Sequence, residues 1–175
     1  NLGSSSIRWA TSFSDAVNTG TITGSGDVTI DTSVLKVDTA NNRVGVNQAT
    51  PLASFQYESV GHGYVTGTSS TGSDAAVPLT LFSKAEFRGA KLLVSIENST
   101  DSAYETHEAV ITHDGSTGAS AAMITIYGTV KSASQTVCTL TAQEASGNIQ
   151  LVITPGVGSK AYTFGVAWKG IAKLT

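Results

Sequence analysis

Cysteine is almost missing. Cys138 is the single one in 175 residues, so neither an intrachain disulfide framework nor a cysteine-built zinc site can form. Charge is also scarce, at 13% of the chain and a net of −3, roughly half the charged share of an ordinary globular domain. The ten Lys and Arg are spread along the chain without a basic run, which argues against a protein that lives by holding DNA or RNA. No apolar run approaches the roughly 18 residues of a membrane-spanning helix. With three prolines and no Gly-X-Y period, collagen is excluded. The low net charge and a 40% apolar fraction exclude a disordered chain, which needs the opposite of both. Polarity comes instead from 24 Thr, 22 Ser and 18 Gly. These residues are weak helix formers, while Thr, Val and Ile suit a pleated surface. Period-2 alternation recurs, and no window keeps a helical apolar stripe for three turns. The expected class is all-β.

Composition divides the chain near residue 60. Residues 1–58 hold short apolar runs, Val28 with Ile30, Leu35 with Val37, and Val44 with Val46, broken by turn signals such as Asn41-Asn42 and Thr50-Pro51. Strands this short, with so few large side chains, cannot bury a core within one chain. The economical solution is a stalk in which three copies share a core along one axis, with those six residues inside it. With no disulfide to brace a thin core, oligomerisation is the expected source of stability. The start, Asn1-Leu2-Gly3, has no basic and then apolar leader and is expected to be a cut within a longer polypeptide. Residues 59–78 read as a linker, since 61–73 are rich in Gly, Ser and Thr. Residues 79–175 read as a knob. Its longer alternating runs, the turn at Asp114-Gly115-Ser116 and the hairpin signal at Ser146-Gly147-Asn148 predict an antiparallel β-sandwich, with a jelly roll among the open topologies.

Three segments carry a resemblance. Leu2-Gly3-Ser4-Ser5-Ser6-Ile7-Arg8-Trp9 resembles a module that recurs in bacteriophage tail fibres. Thr21 to Ile30 looks like the segment that follows it there. Val37 to Pro51, containing Asn41-Asn42-Arg43-Val44-Gly45-Val46, is similar to a fibre repeat, with Asn47 and Gln48 replacing its usual Gly-Thr. The C-terminal part, through Tyr104, Glu105, Glu108, His113-Asp114-Gly115, Tyr127-Gly128 and Leu151 to Pro155, resembles a terminal domain of marine and cyanobacterial phage structural proteins. The resemblance implies a homotrimer with interwoven β-structure in the shaft and a globular knob. It places Val44 and Val46 toward the trimer axis.

Chemistry finds little to work with. No G-x-S-x-G elbow occurs, and Glu105 and Glu108, three apart in a strand, point to opposite faces. Gly156 to Lys160 lacks the spacing of a phosphate-binding loop. Asp114 reads as a turn former and His113 as a solvated strand end. The fibre resemblance implies H-x-H pairs on the trimer axis where a metal is held, but His62 stands alone between glycines. Tyr162, Phe164 and Trp168 alternate as a core stripe, whereas Tyr64, Tyr104 and Tyr127 are candidates for exposed contacts. Loops 114–120, 131–136 and 143–148 are expected at a distal, host-facing end.

The expectation is therefore a structural virion component. It is read as a trimeric tail-fibre segment with host-surface polysaccharide recognition, and the alternative is a capsid decoration or other accessory virion protein. No enzymatic role, cofactor, metal, nucleic-acid partner or membrane insertion is expected. The partners are further copies of the chain and other virion proteins.

Overall fold

The computed structural model describes residues 28–30, 34–70, 75–132, 137–156 and 160–173. Two of the tail-fibre-like segments, 2–9 and most of 21–30, lie outside them. The described residues are all-β apart from one 3-10 turn, Ala119–Ala121. Strands β1 (Val28–Ile30), β2 (Leu35–Asp38), β3 (Arg43–Val46) and β4 (Phe55–Tyr57) are short. Then come β5 (Val60–Ser69), β6 (Val77–Ser83), β7 (Phe87–Asn98) and β8 (Ala103–His113). The chain closes with β9 (Ala122–Lys131), β10 (Cys138–Ala145), β11 (Asn148–Pro155) and β12 (Tyr162–Ala172).

Two sheets form. The large one has nine strands in the order β1-β2-β3-β4-β5-β12-β7-β8-β9, and the small one has three in the order β10-β11-β6. The large sheet is mixed because β3 and β4 run parallel. Alternation decides the core. In β7, Leu92, Val94 and Ile96 are buried while Lys91, Leu93 and Ser95 are exposed. Leu140, Ile149, Leu151 and Ile153 of the small sheet meet them in one cluster with Tyr162, Phe164, Val166 and Trp168 of β12. That is the sandwich expected of the C-terminal part, with its aromatic stripe inside. Phe82, Phe87 and Trp168 interlock with ring centroids 5.9, 5.6 and 5.3 Å apart. Each such side chain, fully buried, contributes about 1.5–3 kcal/mol of transfer free energy.

The linker expectation fails for residues 60–69. They form β5, which pairs along its whole length with β12. Their glycines serve packing rather than flexibility. A Cβ on Gly61 would lie 2.6 Å from the Phe87 ring, one on Gly63 would enter the Trp168 ring, and one on Gly67 would lie 2.5 Å from Leu79. The core aromatics fill the space that β5 leaves empty, so the Gly-rich composition and the strand have one cause. β4 and β5 join through a tight turn at Glu58, where φ is 51°, and the boundary drawn at 58–59 falls in that turn.

The hairpin signal lies where expected. Ser146 (φ 52°) and Gly147 (φ 83°) take the two left-handed positions of a two-residue turn between β10 and β11. Asn148 already belongs to β11. At the other expected turn, Asp114 Oδ1 accepts from the Ser116 amide at 2.8 Å, and Gly115 has φ 93°. His113, however, is no solvated strand end. It is buried, with Nε2 donating to the Phe87 carbonyl at 2.9 Å, because the strand parity that buries Ala109 and Ile111 carries it inward as well.

Candidate functional site on the outer face of the large sheet

Directly paired residues of neighbouring strands share a face, so the register defines what the large sheet shows on the side away from the small one. The Cα register sets Val28 opposite Val37 and Ile30 opposite Leu35. It sets Val37 opposite Val44 and Leu35 opposite Val46. All six residues expected in a trimer core thus fall in two adjacent rows of the pairing. Leu35, Val37, Val44 and Val46 are only half-buried in the single chain.

These rows continue into the rest of the sheet. Val44 pairs with Phe55 and Val46 with Tyr57, Phe55 with His62 and Tyr57 with Val60. His62 then meets Lys169, and Val60 meets Ile171. Farther along, Tyr64 pairs with Ala167, Ala167 with Leu93, and Leu93 with Glu108. Ten of the twelve large apolar side chains exposed among the described residues lie on this face, all but Val34 and Ile126. The three candidate contact residues are among them, with Tyr64, Tyr104 and Tyr127 exposed by 68%, 49% and 52%. Tyr64 stands in a paired strand rather than a linker, its hydroxyl over Gly165. Tyr127 is the extra residue of a bulge in β9 opposite Glu108 and Ala109.

The charges of this face are few and partly neutralised. Lys91 Nζ sits 3.0 Å from Glu108 Oε1 and 5.7 Å from the centroid of the Tyr127 ring. Hydrogen bonding to Glu108 first, and then to Tyr127, raises the Lys91 pKa above its ordinary value. Beside them Arg88, Lys91, Lys169 and Lys173 line one groove of ≈620 Å³ whose floor includes Val110 and Ile171. Sequence spacing had shown no basic patch. The four cations meet only through the pairing of β7 with β12 and the course of the chain after β12.

The inner face carries the buried polar groups. Glu105 Oε1 accepts the Val137 amide at 2.8 Å, and its Oε2 lies 3.1 Å from His107 Nε2. His107 Nδ1 lies 3.0 Å from the Thr129 hydroxyl. These contacts tie β8, β9 and the start of β10 together, and Glu108 is on the opposite face as its parity requires. The described residues hold no cluster of three metal-ligating side chains. Cys138 is buried, and burial pushes its thiol up to about 12, which leaves it protonated and unreactive.

The expected distal loops do not share an end. Glu144 accepts from the Gly118 amide at 2.6 Å and the Gly147 amide at 2.7 Å. Lys84 donates to the Ser116 carbonyl at 2.8 Å and lies 3.5 Å from Glu144. Loops 114–120 and 143–148 are therefore locked together at one end. These amide bonds, the Gly118 one foremost, hold Glu144 below the usual carboxylate range. The remaining loop leaves the far end of β9, where the Ser132 amide donates to the Tyr104 carbonyl at 2.9 Å. Residues 133–136 of that loop lie outside the described ones.

No family model and no curated protein matches the chain. Among solved structures it is similar to the Acinetobacter phage vB_ApiP_P1 tailspike protein, with 17% identity and a TM-score of 0.41. That match covers 65% of this chain and 22% of the tailspike.

Proposed function

We propose that the chain is a structural component of a bacteriophage tail, assembled as a homotrimer in which residues 1–58 contribute to a stalk and residues 79–175 to a knob. The observation that carries this reading is the state of β2 and β3. Leu35, Val37, Val44 and Val46 lie on one face of strands four residues long, and the chain itself leaves all four only partly buried. Strands this short bring little core of their own to the sheet, and an apolar face not fully covered asks for a partner. Three copies closing around that face supply it. The fibre-like segments of the sequence support the phage assignment, and within it the site of action is the virion.

The reading includes contact with host-surface polysaccharide through the loop end formed by 114–120 and 143–148. Its polar, nearly uncharged loops are held rigidly by Glu144 and Lys84. Single sites of this kind bind weakly, and three per assembly gain strength by avidity. The test of assembly is Val44→Asp, which would place three carboxylates about one axis. Loss of the trimer is expected, and an intact trimer with an unchanged melting temperature would contradict the assignment of that face.

A further inference from the structure

We infer that the outer face of β5, β12, β7, β8 and β9 is itself a contact surface between copies of this chain, so that the knob assembles through its large sheet and not only through the stalk. The inference rests on the trimer reading and adds the surface that the stalk strands alone do not specify.

Area is the first argument. Half-exposed aromatic and long aliphatic side chains each leave on the order of 100 Å² in solvent, given about 150–250 Å² for a whole aromatic. Eight of the ten exposed residues, all but Phe55 and Tyr57 of β4, stand on these five strands and offer roughly 800 Å², the share one partner brings to a standard interface. A monomer's largest apolar patch is usually about 300–600 Å².

Continuity is the second. The rows through Val44 and Val46 run without a break into Phe55 and Tyr57 and onward to β12. A partner laid on the stalk strands is thereby led onto the sheet.

The third argument is charge. Lys91 is already paired with Glu108, so covering the face does not strand that charge. Lys169 stands opposite Lys91, a like-charge pair that is unfavourable alone. Toward the other end of the face Glu97 pairs with Thr163 and Tyr104 in the register. Neither Lys169 nor Glu97 has an opposite charge within reach among the described residues. The face thus carries both halves of a pair that a second copy completes.

Hydroxyl-radical footprinting of the intact chain, with its mass followed by light scattering, tests this. Tyr64, Tyr104 and Tyr127 report on the face, and Ile126, exposed on the other side of β9, is the internal reference. In the wild-type assembly the three should react several-fold more slowly than in a Leu93→Glu chain, with Ile126 unchanged. Leu93 is half-exposed, so the single chain tolerates the change. A trimer in which Tyr64, Tyr104 and Tyr127 react as fast as in the variant would overturn the inference and leave the stalk assembly standing. A wild-type monomer would overturn both.

Discussion

The ring of Trp168 occupies the space in which a side chain on Gly63 would stand. One residue supplies bulk from β12 and the other withholds it from β5, two strands that pair at this position. Phe87 and Gly61 repeat the arrangement one pleat away. The sandwich closes because a glycine-bearing strand meets an aromatic one, and this fixes β5 in the sheet.

Gly63→Ala should accordingly destabilise the fold, by about 1–3 kcal/mol as overpacking usually does. Trp168 must move, so its fluorescence should change in the folded state. Denaturant titration followed by tryptophan emission reads both. A neutral result would mean that the ring has room to shift.

Glu105 anchors the entry to β10. Glu105→Ala leaves the Val137 amide and the His107 ring without their acceptor, at a cost of about 1–3 kcal/mol for each buried group left unsatisfied. Glu108→Ala, on the opposite face of the same strand, should change single-chain stability far less. Paired unfolding curves of the two variants check the contrast.

Acid should loosen the loop end first. The Glu144 pKa is lowered from 4.5 by the Gly118 and Gly147 amides. A carboxylate with a depressed folded-state value stabilises the fold above its unfolded value, and that contribution disappears as pH falls through the folded one. Stability should therefore decline on acidification below about pH 4.5. Glu144→Gln should show a shallower acid limb but lower stability at neutral pH. Superimposable pH profiles would mean that the loop clasp contributes nothing.

Cys138 should resist thiol reagents at pH 8 in the folded protein and react at once in denaturant, since burial holds its thiol near 12. Rapid native labelling would show that the start of β10 opens.

Much of this architecture was legible in the sequence, and the failures have physical causes. Strand parity set Glu105 and Glu108 on opposite faces, because period-2 alternation is a local property, but which face is inner follows only from the packing of the small sheet. The Ser146-Gly147 turn was readable from its residues alone. β5 was not, since Gly61, Gly63 and Gly67 look like linker until the aromatics that fill their places are known. His113 was misread for a related reason, as turn chemistry at Asp114 obscured the inward parity of the residue before it. The outer face was hidden in another way. Tyr64, Leu93 and Tyr127 lie in three strands far apart in sequence, and the groove of Arg88, Lys91, Lys169 and Lys173 likewise exists only once β7 and β12 pair. Contiguity on a sheet is a property of register, which local pattern does not carry.

The central proposal is that further copies of this chain cover the face shared by Leu35, Val37, Val44 and Val46 and continued through Phe55 and Tyr57. Light scattering on the intact protein at micromolar concentration tests it most directly. The account predicts a single species of three times the 17.9 kDa chain mass. A stable, folded monomer at that concentration would contradict it.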